Sequence, residues 1–496
     1  MNILVVNERI PQPDRSGADL RLYNLVSDMR DLGHEITLVS RARSMSHEDT
    51  LVLKAKGIIV YAGDVERLAL SDLADGNIWS FEEVLGQGFD IVILPLWFWR
   101  EITIPEHYLE NIRNKSPTTR VVILTDDRHG ERRRMAARLR GSFAEEECAA
   151  GYEVREREVY TNADMVWAIS NAEKEAVMAL APGVPVSVVP FSIAVKGHRR
   201  TFKERAGLLF VADFDNEAAL DAMRWYLLSI LPVLRERSPI IRLTVAGNKS
   251  QLVAKRLKFP DRYFNCVGHV PDLHGLLEQH RVFVCPIRVG TGIVTKNIVA
   301  MSHGLPVVST TIGTGGLELS SDAIMLVEDS PRRFVDAIHK IYTNQFVWDA
   351  LAERSAEHIR RRFGQENSKA ALREALGAAM CQNARSLPVE AFWSVRKIWP
   401  YLVTGPEAQA LGIRRVVVQL ELAETLTVQG NHDAALSLFR QVLDFWRGRS
   451  VERAVYRRVL LGIAACKSGL GDEAGAKECI KEFRRCPEAM NCADCE

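Results

Sequence analysis

Between Pro286 and Pro306 the chain gathers two basic residues around a glycine turn: Arg288, Gly290, Gly292 and Lys296. A β-rich run over 282–287 leads into the turn, and a helical pattern over 293–303 follows it. Gly304 stops that helix, Pro306 bars its continuation, and Val307 to Thr310 read as the next strand. A glycine turn between strand and helix presents bare backbone N–H groups and the positive end of a helix dipole. Both suit an anionic phosphate, and Arg288 and Lys296 add charge beside it. The chemistry expected here is the holding of a diphosphate. Gly292, Lys296 and Val299 are spaced i, i+4, i+7, so they share one face of the expected helix. If Lys296 faces the diphosphate, Val299 faces whatever is attached to it.

Three further groups of residues have chemistry to offer. The loop after the first strand contains Pro11, Pro13, Ser16 and Gly17 and runs into a helix from about Ala18 to Leu32, which Gly33 closes. Such loops, at the carboxyl ends of parallel strands, bind ligands in open α/β sheets, so Ser16, Gly17 and Arg21 are candidates by position. Arg128, Arg132, Arg133, Arg134, Arg138 and Arg140 crowd together. They read equally as a phosphate or lipid-headgroup patch and as a solvated helix face. Of the nine cysteines, Cys466, Cys479, Cys486, Cys492 and Cys495 gather near the C-terminal end. Cys492 and Cys495 form a C-x-x-C pair, but the spacing matches no standard zinc or iron–sulfur framework, and no metal site is expected.

The elements that position these groups follow from periodicity. Short β-rich runs at Ile3–Val6, Ile36–Val39, Ile91–Leu94, Val121–Leu124, Met165–Ile169 and Val186–Val189 alternate with helical stretches. A basic connector near 195–207 follows, and the alternation restarts at Leu208–Ala212, Leu243–Ala246, Phe264–Val267, Val282–Pro286 and Val307–Thr310. Alternation of this kind implies parallel sheets with crossover helices. The fold class is therefore α/β, with two Rossmann-like domains facing a cleft, at 1–195 and 205–375. A linker or crossing helix at 376–400 leads to a helical region at 401–496. There, 422–443 and 463–483 resemble each other, each with a small residue (Ala423, Ala464), a turn glycine (Gly430, Gly471) and a packing alanine (Ala435, Ala476). That is the logic of tetratricopeptide repeats, at a wider spacing; a generic helical appendage is the other reading.

A chain of 496 residues with 47% hydrophobic and 26% charged residues is an ordinary globular composition. A net charge of +1 gives no argument for nucleic acid. The N-terminus does not read as a signal peptide, and the apolar stretch near 91–99 is too short to span a bilayer. The expected location is cytoplasmic, with at most peripheral contact at the inner face of the membrane.

From Val282 to Thr311 the pattern P-x-R-x-G-x-G-x-x-x-K-x-x-x-A-M-x-x-G-x-P-V-V-x-T is similar to the donor-binding segment of family 4 glycosyltransferases, which have the two-Rossmann GT-B fold. The segments at 16–40, 127–129, 163–173, 214–225 and 267–273 resemble the same family, in the expected order. The resemblance implies a retaining transfer of a sugar from a nucleotide-sugar to a glycan, lipid-linked or protein acceptor. The nucleotide-sugar is a co-substrate, and neither a metal nor another cofactor is implied. The second domain would bind the nucleotide and the first the acceptor. Arg288 and Lys296 would neutralise the departing diphosphate, Gly290 and Gly292 would let the backbone approach it, and His129 would stand near the transferred sugar. Gly247 and Asn248 are either liners of the nucleotide pocket or formers of a turn. The family's ribose-gripping glutamate is replaced here by Val299, and an upstream glutamate of many relatives by Thr291. Losing a hydrogen bond to a charged group weakens binding by about 10–100-fold. Two function classes stay open: an active transferase, and a degenerate transferase that serves as a scaffold and recruits a protein partner through its helical repeats.

Overall fold

The computed structural model describes residues 1–41, 47–64, 67–70, 78–97, 103–141, 143–259, 264–319, 324–385, 420, 423, 426–427, 430–446 and 453–485. They divide into two compact units. One holds both sheets; the other contains His129–Glu156 and the C-terminal helices.

The first sheet contains β1 (Asn2–Asn7), β2 (Glu35–Ser40), β3 (Ile59–Asp64), β4 (Arg67–Leu70), β5 (Ile78–Trp79), β6 (Ile91–Pro95), β7 (Arg120–Thr125), β8 (Met165–Ala168) and β9 (Val186–Val188). Their order is β5-β4-β3-β2-β1-β6-β7-β8-β9, and among these strands β4 alone runs against the others, antiparallel to both β3 and β5. The second sheet contains β10 (Leu208–Val211), β11 (Leu243–Ala246), β12 (Phe264–Gly268), β13 (Val282–Cys285), β14 (Val307–Ser309) and β15 (Leu326–Val327). It is fully parallel, in the order β12-β11-β10-β13-β14-β15. These are the two Rossmann-like sheets that the alternating pattern implies. β3, β4, β5 and β15 add to the strands expected from the sequence.

Ile-, Val- and Leu-rich strands such as Ile91–Pro95 are buried along their whole length, as strands covered on both faces must be. In the second sheet β10 pairs with both β11 and β13, so the strand order reverses there. The loops leaving β10 and β13 therefore flank a topological switch point, where open α/β sheets bind ligands. The helix Gln365–Met380 places Leu372, Ala375, Leu376 and Ala379 in the hydrophobic core of the first sheet. The chain thus crosses back to its first lobe after the second is complete.

In the other unit the helix His129–Arg140 carries most of the crowded arginines. Arg134 pairs with Glu131 and Glu153, Arg138 with Glu146 at 2.6 Å, and Arg133 lies 4.0 Å from the Tyr152 ring centroid. This run is a salt-bridged helix face, not an open basic patch. Farther on, the helices His432–Trp446, Arg453–Gly469 and Glu473–Arg485 surround a small core that includes Ala435, Phe439, Val459, Ile463 and Cys466. Gly430 and Gly471 both adopt positive φ just ahead of a helix. A side chain at Gly462 would run into the Phe439 ring, so only glycine lets these helices pack so closely. Cys466 is buried and Cys479 packs at the edge of the core; Cys486, Cys492 and Cys495 lie outside the described residues. Among the described residues no helix is long and apolar enough to cross a membrane.

Candidate active site

The glycine turn lies between the end of β13 and the helix Thr295–Ser302. Gly292 has φ +68, and a Cβ there would stand 2.0 Å from the carbonyl oxygen of Asp126, so the position admits only glycine. Gly290 is less constrained: the nearest atoms to a Cβ there are 3.9 Å away. Because the helix starts at Thr295, Gly292 precedes it. The expectation that Gly292 shares a helix face with Lys296 and Val299 is corrected; only the latter two share a turn. The buried Asn297 donates from Nδ2 to the Gly313 carbonyl at 2.7 Å, which braces the helix start against the neighbouring loop.

The two cations differ in their surroundings. Lys296 is half-buried with its ammonium 5.3 Å from the Phe210 ring centroid, and no carboxylate forms an ion pair with it among the described residues. Burial pushes its pKa down, while Cys285 and Asp213 pull it back. Arg288 is not free. Its guanidinium donates to both carboxylate oxygens of Asp221, at 3.1 and 2.6 Å, and lies 5.7 Å from the Trp225 ring centroid. The sequence motif placed Arg288 beside the diphosphate; the fold adds a carboxylate, 67 residues away in the chain, that competes for it.

The turn is also tied to the first lobe. The Thr291 hydroxyl donates to the Asp127 carboxylate and accepts from the Arg128 N–H at 3.2 Å. The Gly292 N–H is not bare, as the sequence suggested: it donates to Glu173 Oε1 at 2.9 Å. The same oxygen receives Arg128 Nε at 3.3 Å, and Glu173 Oε2 is buried with no hydrogen-bond partner among the described residues. Burial is the main cause that raises the Glu173 pKa, offset by Arg128. Gly17 abuts the helix head, since a Cβ there would meet Thr295 Oγ1 at 2.0 Å. Ser16 is the N-cap of the helix Gly17–Asp31, with its hydroxyl accepting the Asp19 N–H at 3.1 Å. Arg21 is engaged with Asp126 and donates to the Val189 carbonyl at 2.8 Å.

Val299 is half-buried and packs against the core of the second sheet. Gly247 and Asn248 draw the loops after β10 and β11 together. A Cβ on Gly247 would lie 2.1 Å from the Ala212 oxygen, and Asn248 Nδ2 donates to Asp213 Oδ1 at 3.0 Å. His129 begins the helix His129–Arg140 of the other unit and is buried. Its N–H donates to Glu156 at 2.6 Å, and its Nδ1 lies 2.8 Å from Arg132 Nη2. Because arginine can only donate, Nδ1 accepts, and the neutral ring carries its proton on Nε2.

Sequence reasoning reached Lys296, Gly292 and Thr291 but assigned no role to Glu173 or Asp221. Glu173 hides in S-N-A-E, a spacing that reads as a local helix cap. Asp221 carries no local signal. Among the described residues, no group of three or more His, Cys, Asp or Glu side chains is placed to hold a metal ion.

Residues 205–344 match the family described as Glycosyl transferases group 1. The chain is 30% identical over 116 residues to the "Uncharacterized 44.6 kDa protein in cps region" of Klebsiella pneumoniae, an alignment covering 22% of this chain and 30% of that protein. It is 24% identical over 242 residues to "Putative glycosyltransferase YtcC" of Bacillus subtilis, covering 42% and 58%. The chain thus spans less than two thirds of the length of either curated relative. Among solved structures it resembles TarM, with a TM-score of 0.58 at 10% identity over 77% of this chain and 99% of that one. It also resembles Anabaena HepE in complex with UDP and glucose, with a TM-score of 0.52 at 12% identity over 76% and 100%. The architecture is the GT-B fold, two Rossmann-like domains, here with a helical extension.

Proposed function

We propose that this chain is a glycosyltransferase that moves a sugar from a nucleoside-diphosphate donor to an acceptor hydroxyl, with retention at the anomeric carbon and without a metal. One observation carries the reading. Lys296 is a half-buried ammonium in no ion pair among the described residues, on the helix that follows the two-glycine turn, at the switch point of the second sheet. A desolvated charge of this kind is costly unless a partner arrives, and a diphosphate supplies one. The group 1 match over 205–344, which includes this turn, supports the same reading. In the reaction the acceptor oxygen bonds to the anomeric carbon as the bond from that carbon to the phosphate oxygen breaks. The acceptor proton passes to the departing diphosphate oxygen, and Lys296 stabilises the charge that develops on the diphosphate. Arg288 joins it only when released from Asp221.

The acceptor is a glycan, a lipid-linked glycan or a protein, and nucleic acid is not part of the reading. The C-terminal helices, tetratricopeptide-like in their glycine and alanine positions, are suited to a protein partner. The proposed location is cytoplasmic, with at most peripheral membrane contact. A second reading, a scaffold without turnover, is favoured by Val299 packed against the core and by the Asp221 clamp on Arg288.

The test is release of nucleoside diphosphate from UDP-glucose, UDP-N-acetylglucosamine and GDP-mannose, with the anomer of the product read by proton NMR. Lys296→Ala should lower kcat/KM by about 10²–10³-fold. Nucleotide binding with no turnover of any donor favours the scaffold. An inverted product removes the retaining mechanism.

A further inference from the structure

Glu173 occupies a capping-box position. In two other helices of this chain the equivalent glutamate folds back onto the N-cap backbone: Glu83 accepts the Ser80 N–H at 2.7 Å, and Glu106 accepts the Thr103 N–H at 2.6 Å. At the helix Asn171–Leu180, Ser170 Oγ accepts the Glu173 N–H at 3.2 Å, yet the Glu173 carboxylate does not return. It reaches instead to the Gly292 N–H in the other lobe. Its side chain is only 2% exposed, and its second oxygen, Oε2, is buried with no hydrogen-bond partner among the described residues. A buried carboxylate oxygen left unsatisfied is costly, and each such group calls for an explanation.

The position of that oxygen restricts what satisfies it. Glu173 sits one hydrogen bond from the turn, beside Thr291, whose hydroxyl among the described residues reaches Asp127 and Arg128. Asp213, which acts on Lys296, belongs to the second lobe, whereas Arg128 and Asp127, which act on Glu173, belong to the first. In the donor complex proposed above, a diphosphate held by Lys296 lies at the Gly290–Gly292 turn, one hydrogen bond from Glu173. A donor placed that way brings sugar hydroxyls, each an O–H donor, toward a carboxylate that lacks one.

We propose that Glu173 is a sugar-binding residue of the donor site, its free Oε2 accepting a hydroxyl of the hexose that is transferred. The first lobe thereby supplies a carboxylate at a turn where the second lobe has Thr291. The inference rests on the nucleotide-sugar reading above and adds the residue that recognises the sugar.

Calorimetric titration of the full-length protein with UDP, UDP-glucose, GDP and GDP-mannose tests it, on wild type, Glu173→Gln and Glu173→Asp. Glutamine keeps an acceptor for the Gly292 N–H but turns the second oxygen into a donor. The expected result is a nucleoside-diphosphate affinity within about twofold of wild type, with affinity for the preferred nucleotide-sugar about 10–100-fold lower. Aspartate is one methylene shorter and should show the same selective loss. Equal loss of diphosphate and nucleotide-sugar overturns the proposal, since Glu173 would then only hold the turn. Tighter diphosphate binding in Glu173→Gln also overturns it, because Glu173 would be standing in for a phosphate. So does a wild type that binds a diphosphate but gains nothing from the attached hexose. A wild type that binds none of the four ligands overturns the donor reading itself, and this inference with it.

Discussion

At the scale of single residues, the proposed diphosphate site turns on two cations. Among the described residues Lys296 has no carboxylate in an ion pair, and burial depresses its pKa. A dianionic ligand binds the protonated form, so nucleotide affinity should fall as pH rises through a value below the ordinary 10.5 of lysine. Lys296→Arg stays charged throughout, so its affinity should be flat over that range; calorimetry between pH 7 and 10 distinguishes the two profiles. Arg288 gives the opposite case. Its pair with Asp221 is partly exposed, with side-chain accessibilities of 31% and 18%, so the attraction is modest. Asp221→Asn should release Arg288 and tighten nucleoside-diphosphate binding by about two- to fivefold. Weaker binding in that variant would mean that Asp221 orients Arg288 for the ligand and does not compete. Lys296 was legible in the sequence as a candidate because a local pattern of glycine turn and helix marks it. Asp221 and Glu173 were not, because their partners lie 67 and 119 residues away.

At the scale of elements, the loop from Ile287 to Val294 decides whether the site exists. The helix begins two residues later than its pattern suggests, since Val294 adopts φ −82 and ψ 81, outside the helical region. The side chains of 293 and 294 fit a helix, but the sequence gives no sign that the turn is drawn against the first lobe. Gly292 is the tightest contact, against the Asp126 backbone. Gly292→Ala must shift the turn, and a displacement of about 1 Å at a reacting centre costs about 10²-fold in kcat/KM. Gly290→Ala, whose Cβ would make only ordinary van der Waals contacts, should keep most of the activity. Equal loss in both variants would show that steric fit at Gly292 is not what the turn requires. Long Val- and Ile-rich strands such as β1 and β6 were readable as runs. The two-residue β5 and β15 were not, since their pairing is fixed by neighbours and not by their own composition.

At the scale of the whole molecule, the two-sheet plan was legible from alternation alone, and its fold is shared with structures of 10–12% identity. A linker or crossing helix was expected at 376–400, but the helix that returns to the first lobe is Gln365–Met380, because an amphipathic helix does not reveal which core it covers; residues 386–400 lie outside the described residues. The second lobe also buries His280, His303 and His358, and burial lowers the pKa of each. The folded state then binds fewer protons than the unfolded chain just below the ordinary histidine pKa of 6.5. Their stabilising contribution is full above that pH and is lost as pH falls through it toward the depressed folded values. The denaturation midpoint should therefore drop between pH 7.5 and 5.5, and His280→Gln should reduce that drop; a midpoint that is flat or rises on acidification contradicts this account.

The central claim is that the turn at Gly290–Gly292 and the Lys296 ammonium form a diphosphate site. Calorimetric titration of the full-length protein with UDP and with GDP, on wild type and Lys296→Ala, tests it most directly. The account predicts a Kd of about 1 mM or tighter for at least one nucleotide, weakened at least tenfold in Lys296→Ala. Binding of neither nucleotide at millimolar concentration, or an affinity that Lys296→Ala leaves unchanged, would contradict it.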